Sequence, residues 1–131
     1  MSEISKEDLK TILLFGIHLA RVDNDFHLME KKVLRRLSEA IGLSEEERKA
    51  LLGQEVSLGN GLDHLSSDLA RETLAKFLCV VSFVDGETSA EEVQFIEKVL
   101  GKIGGDSIFL LPKEEWGTYE AEVFGKVESA Q

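Results

Sequence analysis

Disulfides, membrane spans and the common catalytic signatures are all missing from this chain. Its one cysteine, Cys79, leaves no internal disulfide and no cysteine-rich zinc site. That thiol lies inside the apolar run 74–84, which points to a buried, inert group rather than a nucleophile. One proline and one tyrosine in 131 residues argue against a β-sandwich with its many turns. No apolar stretch approaches the roughly 20 residues that span a bilayer. The opening residues Met1-Ser-Glu-Ile-Ser-Lys-Glu-Asp8 are polar and acidic, unlike a signal peptide, so a cytoplasmic location is expected. HExxH, GxSxG, P-loop and helical ExxH motifs are absent, and nothing supplies a nucleophile beside a base, so no enzymatic activity is expected.

Positive charge is also scarce. Fifteen basic residues face 25 acidic ones, for a net charge of −10, which repels phosphate backbones and disfavours nucleic acid. The imbalance is uneven: residues 1–52 carry 9 basic and 10 acidic side chains, and residues 53–131 carry 6 and 15. Lys31, Lys32, Arg35 and Arg36 form a local basic stripe, read as a solvated helix face ahead of a docking patch for an acidic partner.

What is present is helical. A hydrophobic fraction of 43% and a charged fraction of 31% suit one globular domain, and the chain is long enough for one core. Ser44-Glu-Glu-Glu47 and Ser89-Ala-Glu-Glu92 have the capping-box form, and Ser5-Lys-Glu-Asp8 approaches it with Asp at the third position. After Ser5, an apolar stripe at Leu9, Ile12, Leu13, Gly16, Ile17 and Ala20 predicts a first helix. A second is expected from Leu28 to Ile41 with Gly42 as its stop, and a short third from Ser44 to about Leu52. Residues 53–66 read as a linker, loosest at Gly59-Asn60-Gly61. A fourth helix, about Asp68 to Val84, is expected to be the most buried. A fifth runs from Ala90 to Ile103. Pro112 could open a last short helix through Trp116 and Phe124, but Gly117 and the β-prone residues leave the structure of the tail, 106–131, open.

A shift of 62 positions lays one half on the other. Phe15, Val22, Asp23, Glu30, Ile41 and Gly42 meet Phe77, Val84, Asp85, Glu92, Ile103 and Gly104, six identities in the 28 positions from Phe15 to Gly42. Average residue usage gives about two. The expected fold is therefore all-α: a small bundle of five to six helices from two pseudo-symmetric helix-turn-helix repeats. Repeat 1 covers about 5–52 and repeat 2 about 67–105. Neither buries its apolar face alone, so the two should pack together.

Each repeat has acids at positions 1, 3 and 8 of its turn: Asp23, Asp25 and Glu30, then Asp85, Glu87 and Glu92. The helix macrodipole alone accounts for Glu30 and Glu92, which open a helix. Asp23 and Asp85 close one, where a carboxylate is disfavoured by some tenths of a kcal/mol. Their compensation is either backbone N–H groups in an Asx-type turn or a divalent cation shared with the neighbouring acids. Oxygen ligands suit Ca²⁺ or Mg²⁺ better than Zn²⁺. An EF-hand is excluded, because its sixth and twelfth positions hold Leu28 and Leu34 in one turn and Ala90 and Ile96 in the other. His18 reads as a structural histidine, His27 as a weak candidate for a mixed site, and His64 lies in the linker.

The turns Ala20-Arg-Val-Asp23-Asn-Asp25…Glu30 and Phe83-Val-Asp85-Gly86-Glu87…Glu92 resemble the TerB-like family, named for a tellurite-resistance protein. The resemblance covers roughly residues 9–104. It implies an all-helical pseudo-twofold fold and a divalent-metal site at Asp23, Asp25, Glu30, Asp85, Glu87 and Glu92. Asn24 stands where glycine is usual, and asparagine tolerates the left-handed backbone such a turn needs. The resemblance implies a metal-responsive binding module linked to stress and membrane-associated complexes. The alternative is a protein-interaction domain whose acids only cap helices, docking a protein partner or a second copy through an exposed patch around Phe109, Leu110, Leu111 and Trp116.

Overall fold

The structure is a computed structural model that describes residues 4–21, 28–53, 65, 68–83, 89–102 and 113–130. Among these there are six α-helices, one 3-10 segment and no strand. The helices are α1 (Lys6–Arg21), α2 (Leu28–Ile41), α3 (Glu45–Leu52), α4 (Asp68–Phe83), α5 (Ala90–Lys102) and α6 (Tyr119–Ala130), with the 3-10 segment (Lys113–Thr118) leading into α6. The all-α bundle of two repeats is as expected. The shift of 62 carries the bounds of α1 onto those of α4 and the start of α2 onto the start of α5.

The local signals act as their chemistry dictates. The Asp8 N–H donates to Ser5 Oγ at 3.0 Å, and the Ser5 N–H donates back to Asp8 Oδ2 at 3.4 Å, so aspartate does the work of the usual glutamate at the start of α1. Ser44 and Glu47 form the full reciprocal box before α3, at 3.1 and 3.0 Å. The Ser44 N–H bond and Lys10 beside it hold the Glu47 carboxyl down at about 2. At the end of α2, Gly42 adopts φ +82°. Its N–H donates to the Glu39 carbonyl at 3.1 Å and the Leu43 N–H to the Ser38 carbonyl at 3.2 Å, a Schellman termination.

Burial of α1 exceeds its predicted stripe, since Leu14, Phe15 and Leu19 are buried as well. The reason is its place in the bundle, in contact with α2, α3, α4 and α5. Its approach to α4 is closest at Gly16. A Cβ there would stand 2.6 Å from Phe77 Cε2 and 2.9 Å from Leu34 Cδ2, so only glycine lets the three helices converge. As expected, α4 is the most enclosed element, with every residue from Thr73 to Ser82 buried. Cys79 is fully buried there, and burial pushes its thiol up to about 12.

The C-terminal segment resolves what the sequence left open, and it corrects the docking patch. Trp116 is buried in the core rather than exposed, and Tyr119, Val123, Phe124 and Val127 are buried with it. Phe109, Leu110 and Leu111 lie outside the described residues. Phe124 meets Phe77 edge to face at 6.4 Å, and the Arg36 guanidinium lies 3.9 Å over the Phe124 ring while pairing with Glu120 at 3.1 Å. Arg36 is therefore a tie between α2 and α6, not a purely solvated member of the basic stripe. On α4, Lys76 is buried between Glu72, at 2.7 Å, and Glu122 of α6. Burial opposes its charge, but the Glu122 and Glu72 carboxylates outweigh that penalty and raise its pKa.

Two outcomes follow for stability. Gly16→Val should cost about 1–3 kcal/mol in urea denaturation through overpacking against Phe77, whereas Gly101→Val, where a Cβ meets nothing within 4 Å, should not carry that cost. A chain ending at residue 112 should lose cooperative melting, because it strips Tyr119, Phe124 and Val127 from α4 and leaves Lys76 without Glu122.

Candidate acidic-turn site

The two turns join α1 to α2 and α4 to α5. Of the six acids predicted there, Glu30 and Glu92 fall among the described residues; Asp23, Asp25, Asp85 and Glu87, together with Asn24, His27 and Gly86, lie outside them, as does His64. Glu30 is the third residue of α2 and Glu92 the third of α5. Both are buried, at 2% and 4% exposure, although acids in a first helical turn are commonly solvated.

For Glu92 the cause is on view. Its Oε1 accepts the Ser89 N–H at 3.0 Å, its own N–H donates to Ser89 Oγ at 3.1 Å, and the Val93 N–H donates to the Ser89 carbonyl at 3.1 Å. This is the reciprocal box read from the sequence, satisfying donors that the helix start would otherwise leave open. One carboxylate oxygen is thus committed to the cap. The burial of both glutamates is what sequence reading missed: the repeat pattern identified the residues, but not how deeply the bundle would enclose them.

The helices bearing the two turns meet beside this point. His18, one turn before the end of α1, places its ring 4.9 Å from that of Phe95 on α5, and Phe15 meets Phe95 edge to face at 6.4 Å. Partial burial and the nearby Arg21 charge lower the His18 pKa, so the ring packs as a neutral group. The residue as a whole stays exposed, with the ring resting against Phe95. Cys79 offers no reactive thiol. Among the described residues, no three His, Cys, Asp or Glu side chains gather in a metal-ligand arrangement, and no buried side-chain nitrogen or oxygen lacks a hydrogen bond. Nor is any described helix long and apolar enough to cross a membrane.

Residues 1–52 match the family described as Tellurite resistance protein TerB. Over that span the chain is similar to that family. The match takes in α1, the first acidic turn, α2 and α3, less than half of the chain. It agrees with the resemblance carried by the first turn, and α4 and α5 lie beyond it. Comparison with curated proteins and with solved structures returns no match.

If capping is what buries Glu92, Ser89→Ala should lower stability by about 1 kcal/mol. Glu92→Gln, which keeps an acceptor for the Ser89 N–H, should cost clearly less than Glu92→Ala. Urea denaturation of the three variants checks this, and equal losses for Gln and Ala would contradict it.

Proposed function

We propose that this TerB-like chain is a non-enzymatic binding module whose paired acidic turns respond to a divalent cation, in a stress or tellurite-resistance role. The observation that carries the reading is the equivalence of Glu30 and Glu92. They stand 62 residues apart, at the third position of matching helices, and both are withdrawn from solvent. Each follows two further acids of its own turn, Asp23 and Asp25 or Asp85 and Glu87. Carboxylates crowded in this way favour a positive charge among them.

The donor set fits a hard cation. All six candidate ligands offer oxygen, the chemistry of Ca²⁺ or Mg²⁺ sites rather than of thiolate-rich zinc sites. Glu92 keeps one carboxylate oxygen beyond the one given to Ser89. Asp23, Asp25, Glu30, Asp85, Glu87 and Glu92 would hold the ion, which would supply charge neutralisation and a link between the two repeats.

A second reading is favoured by the Ser89–Glu92 box: the acids serve only as caps, and the domain is a scaffold for a protein partner or a second copy. The two readings part in a melting experiment on the chelator-treated protein, followed by Ca²⁺, Mg²⁺, Mn²⁺ or Zn²⁺. A cation bound only by the folded chain should add about 2.7 kcal/mol at a hundredfold excess over Kd. The gain should disappear in the Asp23→Asn/Asp85→Asn double variant. Indifference to all four cations would sink the metal reading and leave the capping one.

A further inference from the structure

Away from the acidic turns, α1, α2 and α3 enclose a groove of about 570 Å³, within the roughly 300–1,000 Å³ typical of small-molecule sites. Its apolar lining comes from Leu13 and Ile17 of α1, Leu34 of α2 and Leu52 of α3. Leu52, 43% exposed, is the one large hydrophobic side chain left exposed among the described residues. The rim is cationic, with Arg21, Lys31, Arg35, Arg48 and Lys49 set, among the described residues, against one carboxylate, Glu45, which pairs with Lys49 at 3.5 Å.

These cations differ in how they are engaged. Arg21 Nη1 donates to the Leu52 carbonyl at 3.0 Å, fastening α1 to the end of α3 and shaping one end of the groove. Arg35 spends its Nε on Glu39, at 3.1 Å, in an exposed pair of the kind that contributes little. Arg48 has no ion-pair partner among the described residues. In a chain of net charge −10, this is a local inversion of sign over an aliphatic floor. Among the described residues no aromatic side chain lines the groove, and these offer no stacking platform for a nucleobase. Guanidinium groups grip a carboxylate through paired N–H donors, and an aliphatic floor takes an aliphatic chain.

We propose that this groove binds a single-chain aliphatic anion of the fatty-acid class, its carboxylate held by Arg35 and Arg48 and its chain lying over Leu13, Ile17 and Leu34 against Leu52. The test is calorimetric titration of the full chain with laurate below its micelle concentration, alongside dodecanol and dodecyltrimethylammonium. Saturable binding of laurate is expected, with both other compounds weaker by about tenfold or more, as loss of a charge-assisted hydrogen bond implies. Arg35→Ala/Arg48→Ala should weaken laurate by a similar factor, and Lys98→Ala on the exposed side of α5 should leave it unchanged. Amide shifts on laurate addition should concentrate in residues 13–52. Should the double variant melt early, Leu52→Asp supplies the check, since it alters an already exposed side chain. Equal affinity for the alcohol, undiminished binding by a folded groove variant, shifts spread over α4–α6, or binding to anionic phospholipid vesicles in place of laurate would each overturn the proposal.

Discussion

The close passage of α1 over α4 at Gly16 is the constraint from which the rest of the bundle follows. A helical hairpin of this length cannot bury its apolar face against itself, so each repeat depends on the other. Phe77 fills the space that a side chain at position 16 would take, and Leu34 arrives at the same point from α2. Phe15, the residue equivalent to Phe77 under the 62-residue shift, packs instead on Phe95 of α5. The repeats thus interlock through the same two aromatic positions, with glycine on one side only. Glycine within a helix costs up to about 1 kcal/mol in propensity, and the close packing it permits offsets that cost.

Enclosing α4 on every side then requires a further element, which explains the C-terminal helix. Tyr119, Val123, Phe124 and Val127 follow helical spacing, but β-branched and aromatic residues with Gly117 and Gly125 make a poor helix in isolation. Burial on α4 overrides that weak propensity. The same contact encloses Lys76, an arrangement that is tolerated because Glu72 and Glu122 both reach its ammonium group. Strong periodic signals with caps, as at α2 and α3, were legible to within a residue. The last helix was not, because its stability is tertiary and the surface it covers belongs to a distant part of the chain.

The site divides along the same line. Spacing alone identified Glu30 and Glu92 as matching acids, and the Ser89 box could be read directly from four residues. Their burial, at 2% and 4% exposure, could not, since the depth at which a residue sits is set by packing between elements distant in the chain. The basic stripe is exposed, as expected, but the different engagements of its members were hidden for a related reason. Four cations on one helix look alike in sequence, but Arg36 turns toward α6 while Lys31 and Arg35 border the groove beside α3.

Comparison of the repeats separates what they share from what only one possesses. Asp23, Asp25 and Glu30 find acidic equivalents in Asp85, Glu87 and Glu92, so the turns are a property of the duplicated unit. Lys31 and Arg35 find Val93 and Glu97, and no cationic rim is possible at the matching place on α5. The acidic turns are therefore common to both repeats, whereas the groove belongs to the first repeat alone. This asymmetry also accounts for the charge distribution along the chain. Five of the nine cations that keep residues 1–52 near neutrality border the groove, and the second half, lacking equivalents of them, carries almost all of the net negative charge.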